Sequence, residues 1–155
     1  MRNIDIKDQK IIRALQRNGR MTNQDLAAEV NLSPSPCLRR LKLLETSGVI
    51  TGYSANIDAE AYGIPVTVFV HIKLASHAEA AVQQFEAAIA QVDQVLECYV
   101  MTGASDYLLR VVVADLAGYE DFVRKKLQSI GSIASIDSSF VYGTVKKTNV
   151  FPKLG

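Results

Sequence analysis

Hydrophobic residues in the first third of the chain recur at helical spacing in three successive segments. This spacing predicts one helix after Asp5, a second after Thr22 and a third that begins within Ser33-Pro34-Ser35-Pro36. Asp5 and Thr22 suit helix starts because their side-chain oxygens accept hydrogen bonds from first-turn N–H groups. The prolines fit the third start because the first N–H groups of a helix have no intrahelical partner. Whether Ser33 or Ser35 caps that helix stays open at this level.

Glycines mark where these helices are expected to end. Asn18-Gly19 should end the first helix, with Gly19 in the left-handed conformation that glycine adopts at little cost. Gly48 should end the third helix, and Asn31-Leu32 leaves only a tight turn between the second and the third. Residues 49–57 then indicate a short extended ribbon around a glycine turn. Three helices, a tight turn and a ribbon predict a winged helix-turn-helix.

The period of the apolar residues changes to two at Val66. Alternation from there predicts a half-buried strand. Further alternating segments predict three more strands, and two segments with apolar residues at helical spacing predict helices. The expected strands are 66–74, 95–101, 107–113 and 133–142, with helices over 78–92 and 116–130. This order of elements is the split βαβ, or ferredoxin-like, arrangement. The tail, residues 144–154, is a candidate for a further edge strand.

The change of period predicts an α+β fold with two domains. Residues 1–54 are the winged helix-turn-helix, 55–65 a linker, and 66–155 a ferredoxin-like βαββαβ domain. Charge follows nearly the same division, since residues 1–54 carry a net +4 and the remainder −3. A basic domain joined to an acidic one suggests two roles, one of them with a polyanion.

Composition and motifs exclude several classes of protein. The contents of 48% hydrophobic and 21% charged residues are ordinary for a globular chain and exclude global disorder. No apolar run approaches the ~18 residues that span a bilayer, and the first residues do not resemble a secretory signal. Cys37 and Cys98 form neither a disulfide framework nor a metal knuckle, so a cytoplasmic location is expected. His71 and His77 have no further ligand at metal spacing, and no motif for catalysis is present, so neither a metal site nor an enzyme is expected.

The third predicted helix carries a basic face. Arg39, Arg40 and Lys42 lie on the face opposite Cys37, Leu41 and Leu44. The residues expected to face inward are Cys37, Leu38, Leu41 and Leu44. In a helix-turn-helix protein this helix enters the major groove, where arginine and lysine contact phosphates or guanine edges. Ser33 and Ser35 at its N-terminus can hold a phosphate. The alternative is an ordinary solvated helix face, and the residues alone leave both interpretations open.

The segment Gly103-Ala104-Ser105-Asp106 joins two predicted strands. Its residue types favour a plain hairpin turn. The alternative is a zwitterion site, in which glycine-loop N–H groups bind a carboxylate and Asp106 pairs with an ammonium. Met101, Tyr107 and Val141 would then supply apolar surroundings for a side chain. From the residues alone the plain turn is favoured.

Three long stretches carry a family resemblance. Residues 5–20 read DIKDQKIIRALQRNGR, residues 26–55 read LAAEVNLSPSPCLRRLKLLETSGVITGYSA, and residues 95–113 read VLECYVMTGASDYLLRVVV. They resemble, in turn, the opening helix, the winged helix-turn-helix and the core of the ligand-sensing domain of the Lrp/AsnC family of transcriptional regulators. The segments SPSPC and LECYVMTGASDYLL are most similar to its leucine-responsive branch.

The resemblance implies a sequence-specific DNA-binding domain joined to an amino-acid-binding domain of the RAM type. It also implies homodimers formed through the ferredoxin-like domains, often assembled as a tetramer of dimers. The effector would bind where dimers meet, at the loop between the second and third strands of that domain. This favours the zwitterion site over the plain turn, and the apolar neighbours of the loop favour leucine or methionine. Double-stranded DNA and a free amino acid are the expected partners, with no cofactor and no membrane.

Two sets of residues are predicted to form the binding sites. The DNA-binding set is Thr22, Ser33, Ser35, Pro36, Arg39, Arg40 and Lys42. The effector-binding set is Met101, Thr102, Gly103, Ala104, Asp106, Tyr107 and Val141. Two other functions stay open: a DNA-organising protein without an effector, and an amino-acid sensor subunit that acts on a protein partner.

Overall fold

The computed structural model describes residues 4–154, which pack as two compact units. The first comprises residues 4–56 together with 145–154, and the second comprises Ile57–Thr144. The C-terminal segment, which the sequence analysis grouped with the second domain, therefore packs with the first unit. No helix within this described part is long and apolar enough to cross a membrane.

The three helices of the first unit begin where the sequence predicts. The side chains of Asp5 and Thr22 each accept a hydrogen bond from the backbone N–H three residues later, at 2.8 and 3.2 Å. Both predicted N-caps are therefore confirmed. Ser33, rather than Ser35, is the N-cap residue of the third helix. The helices are α1 Ile6–Arg17, α2 Asn23–Glu29 and α3 Pro34–Thr46.

The helices end in two different ways. Gly48 has a φ of 73° and ends α3 in the left-handed conformation, as predicted. Gly19 does not adopt that conformation, and the prediction for the end of α1 is wrong in this respect. Asn18 instead leaves the helix in an extended conformation, and its side-chain oxygen accepts a hydrogen bond from the N–H of Arg20 at 3.0 Å. The turn between α2 and α3 depends on Asn31, whose φ is 53°, a region that asparagine tolerates better than most residues.

The ribbon expected after α3 is not formed. The structure assigns no strand to residues 49–57, so this part of the prediction is wrong. The backbone N–H groups of Val49 and Ile50 both donate to the carbonyl of Leu44, each at 3.0 Å. These two hydrogen bonds fold the chain back over the end of α3, so the two N–H groups that would begin a ribbon donate to one helix carbonyl instead.

Apolar residues from all three helices meet in one core. They are Ile11, Ala14, Leu26, Ala27, Val30, Cys37 and Leu44, all buried. Cys37 is part of this packing, and burial raises the pKa of its thiol.

Arg40 joins α3 to the start of α1. Its Nη1 atom donates to Oδ2 of Asp5 at 2.7 Å and to Oδ1 of Asp8 at 2.9 Å. The Asp8 side chain is only 2% exposed, whereas that of Arg40 is 29% exposed. Burying a carboxylate is costly unless cations and hydrogen-bond donors compensate for the lost water. The guanidinium of Arg40 therefore stabilises the way α3 packs on α1.

The C-terminal segment lies along α1 and does not extend the sheet. The structure assigns no strand to residues 144–154, so the expected edge strand is wrong. The Gln16 side chain donates to the carbonyl of Asn149 at 2.6 Å and accepts from the N–H of Phe151 at 3.0 Å. Two further side chains of α1 bond to backbone groups of the same segment. Glutamine side chains of α1 thus form hydrogen bonds with backbone groups of the C-terminal segment that would pair with a neighbouring strand if the segment extended the sheet.

The second unit is the predicted βαββαβ arrangement. Its four strands form one antiparallel sheet in the order β2-β3-β1-β4. The elements are α4 Ala59–Tyr62, β1 Val66–Leu74, α5 Glu79–Ile89, β2 Val95–Val100, β3 Tyr107–Val113, α6 Leu116–Phe122 and β4 Ile133–Phe140. The core lies between one face of the sheet and the helices α5 and α6; its buried members include Val68, Val70, Ile72, Phe85, Ile89, Leu109, Val111, Phe122 and Leu127.

Two local features differ from the expected elements. The predicted linker contains α4, which Asp58 caps by accepting from the N–H of Ala61 at 2.8 Å and which Gly63 ends with a φ of 94°. The helix expected over 116–130 leaves α-helical geometry after Phe122 and continues as a π-helical segment, Val123–Leu127. Five residues are too few for apolar spacing to distinguish a π-helix from an α-helix.

The ion pairs of Arg40 predict a stability difference between two adjacent arginines. Arg40→Ala should lower the free energy of unfolding by about 1–3 kcal/mol, because it removes the guanidinium that faces the buried Asp8 carboxylate. The matched control Arg39→Ala, at an exposed position, should change it by less than about 0.5 kcal/mol. Urea unfolding of the two variants measures both, and equal losses would contradict the role given to Arg40.

The same ion pairs predict a pH dependence. The N–H of Asp8 and the side chain of Arg40 hold the pKa of Asp5 below its ordinary value of 3.8. A lowered carboxyl pKa adds stability that is present above the unfolded pKa and disappears as the pH falls through the folded one. Wild-type protein should therefore lose stability below about pH 3.8 more steeply than Arg40→Ala. Parallel pH profiles of the two proteins would be the contrary result.

Gln16 predicts how the C-terminal segment is held. Gln16→Ala removes the two hydrogen bonds that Gln16 makes to this segment, one of them from the N–H of Phe151. The amide hydrogen of Phe151 should therefore exchange with solvent faster than in wild type. The control is Gln24→Ala, at an exposed glutamine of α2, which should leave that exchange rate unchanged. Hydrogen exchange measured residue by residue decides between them, and an unchanged rate in Gln16→Ala would show that the segment is held by other contacts.

Candidate functional site

The outer face of α3 displays two cations. Arg39 and Lys42 are exposed, while Cys37 and Leu44 on the opposite side of the helix are buried in the core. An open depression of about 440 Å³ runs along this face; it is lined by Ser35, Leu38, Arg39, Lys42, Leu43 and Thr46. In a helix-turn-helix the exposed side of this helix is the side that can enter a DNA groove.

The structure brings some of the predicted DNA-binding residues together and separates others. Ser35, Arg39 and Lys42 share the displayed face of α3, and Pro36 is exposed in its first turn. Arg40 lies toward α1, where its guanidinium bonds to two carboxylates.

The two remaining residues of that set act at helix starts. Thr22 caps α2, and its hydroxyl also donates to the Asp25 carboxylate at 2.7 Å. Ser33 is the N-cap residue of α3 and is exposed. The prediction that Leu38 faces inward is wrong, because its side chain is exposed on the outer face. Leu43 is also exposed there and was not singled out from the sequence.

The loop between β2 and β3 is a tight hairpin. The N–H of Met101 donates to the carbonyl of Asp106 at 2.8 Å, which closes the loop at its base. Gly103 has a φ of 108°, a conformation that L side chains rarely adopt, so glycine is required here. Thr102, Gly103 and Ala104 are exposed.

Asp106 fastens this loop to the end of β1. Its Oδ2 accepts from the N–H of Leu74 at 2.7 Å, and its Oδ1 lies 2.9 Å from Nε2 of His77. The N–H of Leu74 and then His77 hold the pKa of the Asp106 carboxyl below its usual range. The carboxylate is therefore ionised at neutral pH. Since its side chain is 25% exposed, it can still accept a hydrogen bond from a cation that displaces His77.

A second histidine lies at the same loop. Nδ1 of His71 is 3.2 Å from the hydroxyl of Ser105. Within residues 4–154, no group of three or more His, Cys, Asp or Glu side chains is arranged to hold a metal ion.

The apolar residues predicted for the effector site are not brought together within one chain. Tyr107 is buried on the helix side of the sheet, where its ring lies 4.5 Å from that of Phe85 and its hydroxyl donates to Glu86 at 2.8 Å. Burial, and then Glu86, raises the pKa of Tyr107 to about 12. Because the side chains of a strand alternate between its two faces, Tyr107 contributes nothing to the face of the sheet that is not covered by the helices.

Val141 lies far along the sheet from the loop. The N–H of Val141 donates to the carbonyl of Thr67, whereas the N–H of Asp106 donates to the carbonyl of Ile72. Five residues of strand separate these two positions on β1, which corresponds to roughly 16 Å. The loop and Val141 therefore do not line one amino-acid-sized pocket within a single chain.

Two family models match the chain, one to each part. Residues 4–51 match a winged helix-turn-helix DNA-binding model, and residues 67–151 match the Lrp/AsnC ligand binding domain.

Similar proteins match over nearly their whole length. The Bkd operon transcriptional regulator of Pseudomonas aeruginosa is 41% identical over 94% of this chain and 95% of its own. The leucine-responsive regulatory protein of Haemophilus influenzae is 39% identical over 94% of this chain and 88% of its own. Among solved structures, a transcriptional regulator of Neisseria meningitidis in complex with L-methionine has a TM-score of 0.93 and 37% identity, covering 97% of both chains. An AsnC family regulator of Agrobacterium tumefaciens has a TM-score of 0.91 and 38% identity, covering 96% of both.

These relatives are transcriptional regulators and not enzymes, and the order of strands and helices agrees with theirs. Together with the two matching models, they show that this chain belongs to the Lrp/AsnC family of DNA-binding transcriptional regulators, with a winged helix-turn-helix and a ligand-binding domain.

Proposed function

We propose that the protein binds operator DNA through the outer face of α3 and that a free amino acid, bound at the β2–β3 loop between copies of the chain, changes this binding. The observation that carries the DNA-binding part is the display of Arg39 and Lys42 on the face of α3 opposite the core. We also propose that the protein works in the cytoplasm, where it has access to the cell's DNA.

Arg39 and Lys42 are the residues that we propose to contribute most to DNA binding. A cation that approaches the duplex neutralises phosphates and releases counterions, or donates to guanine acceptors in the major groove. Ser33, Ser35 and Pro36 at the start of α3 lie where a phosphate can meet the N-terminal end of the helix. Arg40 acts indirectly, because its guanidinium holds α3 against α1.

The effector proposal depends on Asp106 and on the loop that Gly103 allows. An α-amino acid carries its ammonium and its carboxylate on the same carbon atom. The ionised Asp106 carboxylate suits the ammonium, and N–H groups of the loop suit the carboxylate. Leucine or methionine fits best, since Met101 is apolar, and one solved relative was crystallised with L-methionine.

The geometry of one chain favours a shared effector site. The loop is exposed at Thr102, Gly103 and Ala104, and Val141 lies at the other end of β1. We therefore propose homodimers that assemble further, to a tetramer of dimers, and that a second copy closes the site. An effector that binds one assembly or DNA-bound state more tightly than another shifts the balance between them.

Arg39→Ala and Lys42→Ala should each weaken DNA binding. If the lost contact is to a phosphate, affinity should fall for all duplexes and the slope of log K against log salt should decrease in magnitude by about one. If the lost contact is to a base, discrimination at one base pair should relax instead. Fluorescence anisotropy over a salt series measures both quantities, with Lys126→Ala in the second unit as the control. Wild-type affinity and slope in both variants would remove α3 from the DNA interface.

Asp106→Asn should weaken amino-acid binding at least about tenfold, because the amide keeps an acceptor for the N–H of Leu74 but loses the charge that attracts an ammonium. The matched control is Asp93→Asn, at an exposed aspartate of the same unit. A thermal-shift screen of wild-type protein with the twenty amino acids identifies the effector, since a ligand at 100 Kd stabilises by about 2.7 kcal/mol. Titration of the two variants then measures the difference.

Two results would contradict this proposal. No thermal shift with any amino acid would make the loop a plain hairpin and favour a DNA-organising protein without an effector. Full affinity in Asp106→Asn would move the effector site away from this loop.

A further inference from the structure

Leu38 and Leu43 of α3 are exposed and do not belong to the core of the first unit. Leu38 is 39% exposed and Leu43 is 48% exposed. The core that α3 shares with its neighbours uses Cys37 and Leu44, and Leu41 packs against it. The folding of the first unit therefore explains the leucines at 41 and 44 but not those at 38 and 43.

The two leucines flank the polar ridge of the helix. At 100° per residue, Ser35, Arg39, Lys42 and Thr46 fall within about 60° of one another around the helix axis. Leu38 lies about 70° to one side of the centre of that ridge, and Leu43 lies about 70° to the other. All six residues line the same open depression. The displayed surface is thus a cationic ridge with an apolar side chain on each flank.

A cationic ridge with an apolar side chain on each flank fits DNA better than it fits an apolar groove on another protein. An apolar groove on another protein would accept the leucines but would have to desolvate Arg39 and Lys42, which lie between them. The major groove of DNA offers acceptors and phosphates to the cations, and its apolar group is the C5-methyl of thymine. A duplex therefore satisfies the ridge and both flanks at once.

Resting on the DNA-binding function proposed above, we propose that Leu38 and Leu43 determine specificity by contacting thymine C5-methyl groups in the major groove. Arg39 and Lys42 supply affinity through phosphates and acceptor edges. The leucines select duplexes that carry a thymine beside the base pairs facing the ridge. The chemical class recognised is a major-groove methyl, so a base without it is a weaker partner at the same position.

The test removes the methyl without changing base pairing. A duplex that binds wild-type protein at moderate salt is first selected from a random pool, and each of its thymines is then replaced singly by deoxyuridine. At one position or more, the replacement should weaken wild-type binding about fourfold, since burying one methyl-sized group is worth about 0.8 kcal/mol. At the position read by Leu38, the variant Leu38→Ala should show no further loss on replacement, and Leu43→Ala should behave likewise at its own position.

Three controls keep the result specific. Leu38→Met retains an apolar contact and should keep most of the discrimination between thymine and uracil. Leu116→Ala changes an exposed leucine of the second unit and should leave the discrimination as in wild type. The midpoint of thermal unfolding should be the same in all variants as in wild type, since the positions are exposed.

The outcomes separate this proposal from the function on which it rests. If uracil replacement is silent at every thymine, or if its cost is the same in wild type and both alanine variants, the leucine proposal is overturned while salt-dependent binding through Arg39 stands. If no duplex is bound even at low salt, both proposals are overturned.

Discussion

The two hydrogen-bonded ion pairs of Arg40 are the constraint on which the DNA-binding unit depends. They hold the third helix against the first by satisfying a carboxylate, Asp8, that is almost wholly buried. Once Arg40 faces α1, the helical repeat places Arg39 about 100° and Lys42 about 160° away around the helix axis, on the displayed side. Neighbouring arginines thus have different surroundings, since Arg40 forms ion pairs between helices while Arg39 is exposed, although the residues themselves are chemically identical.

A comparable constraint governs the second unit. Asp106 accepts from the N–H of Leu74 and so fixes the β2–β3 loop to the end of β1. The same loop needs the positive φ of Gly103. Because Tyr107 begins β3 with its ring toward α5, the loop exposes few apolar groups of its own. The chain therefore presents a charged and polar loop, which is why we propose that a second copy supplies the apolar part of the effector site.

Sequence patterns predicted the fold well where local chemistry and packing agree. The caps at Asp5 and Thr22 and the strands β1 and β3 were predicted correctly, because side-chain hydrogen bonds and a period of two leave few alternatives. The predictions for Gly19, for the ribbon over 49–57 and for a strand in 144–154 were wrong. In each case backbone groups form hydrogen bonds that no periodic pattern indicates. The N–H groups of Val49 and Ile50 bond to the carbonyl of Leu44, and the carbonyl of Asn149 bonds to the side chain of Gln16.

The sequence by itself determined the element order and the two-part organisation, since these follow from periodicity and capping. It also supplied two sets of candidate binding residues. Only the tertiary structure decided which member of each set is available. It assigned Arg40 to an ion pair, Tyr107 to the core and Val141 to the far end of a strand, and it exposed Leu38 and Leu43. The physical reason is that burial and ion pairing depend on which elements pack together, and no local pattern contains that information.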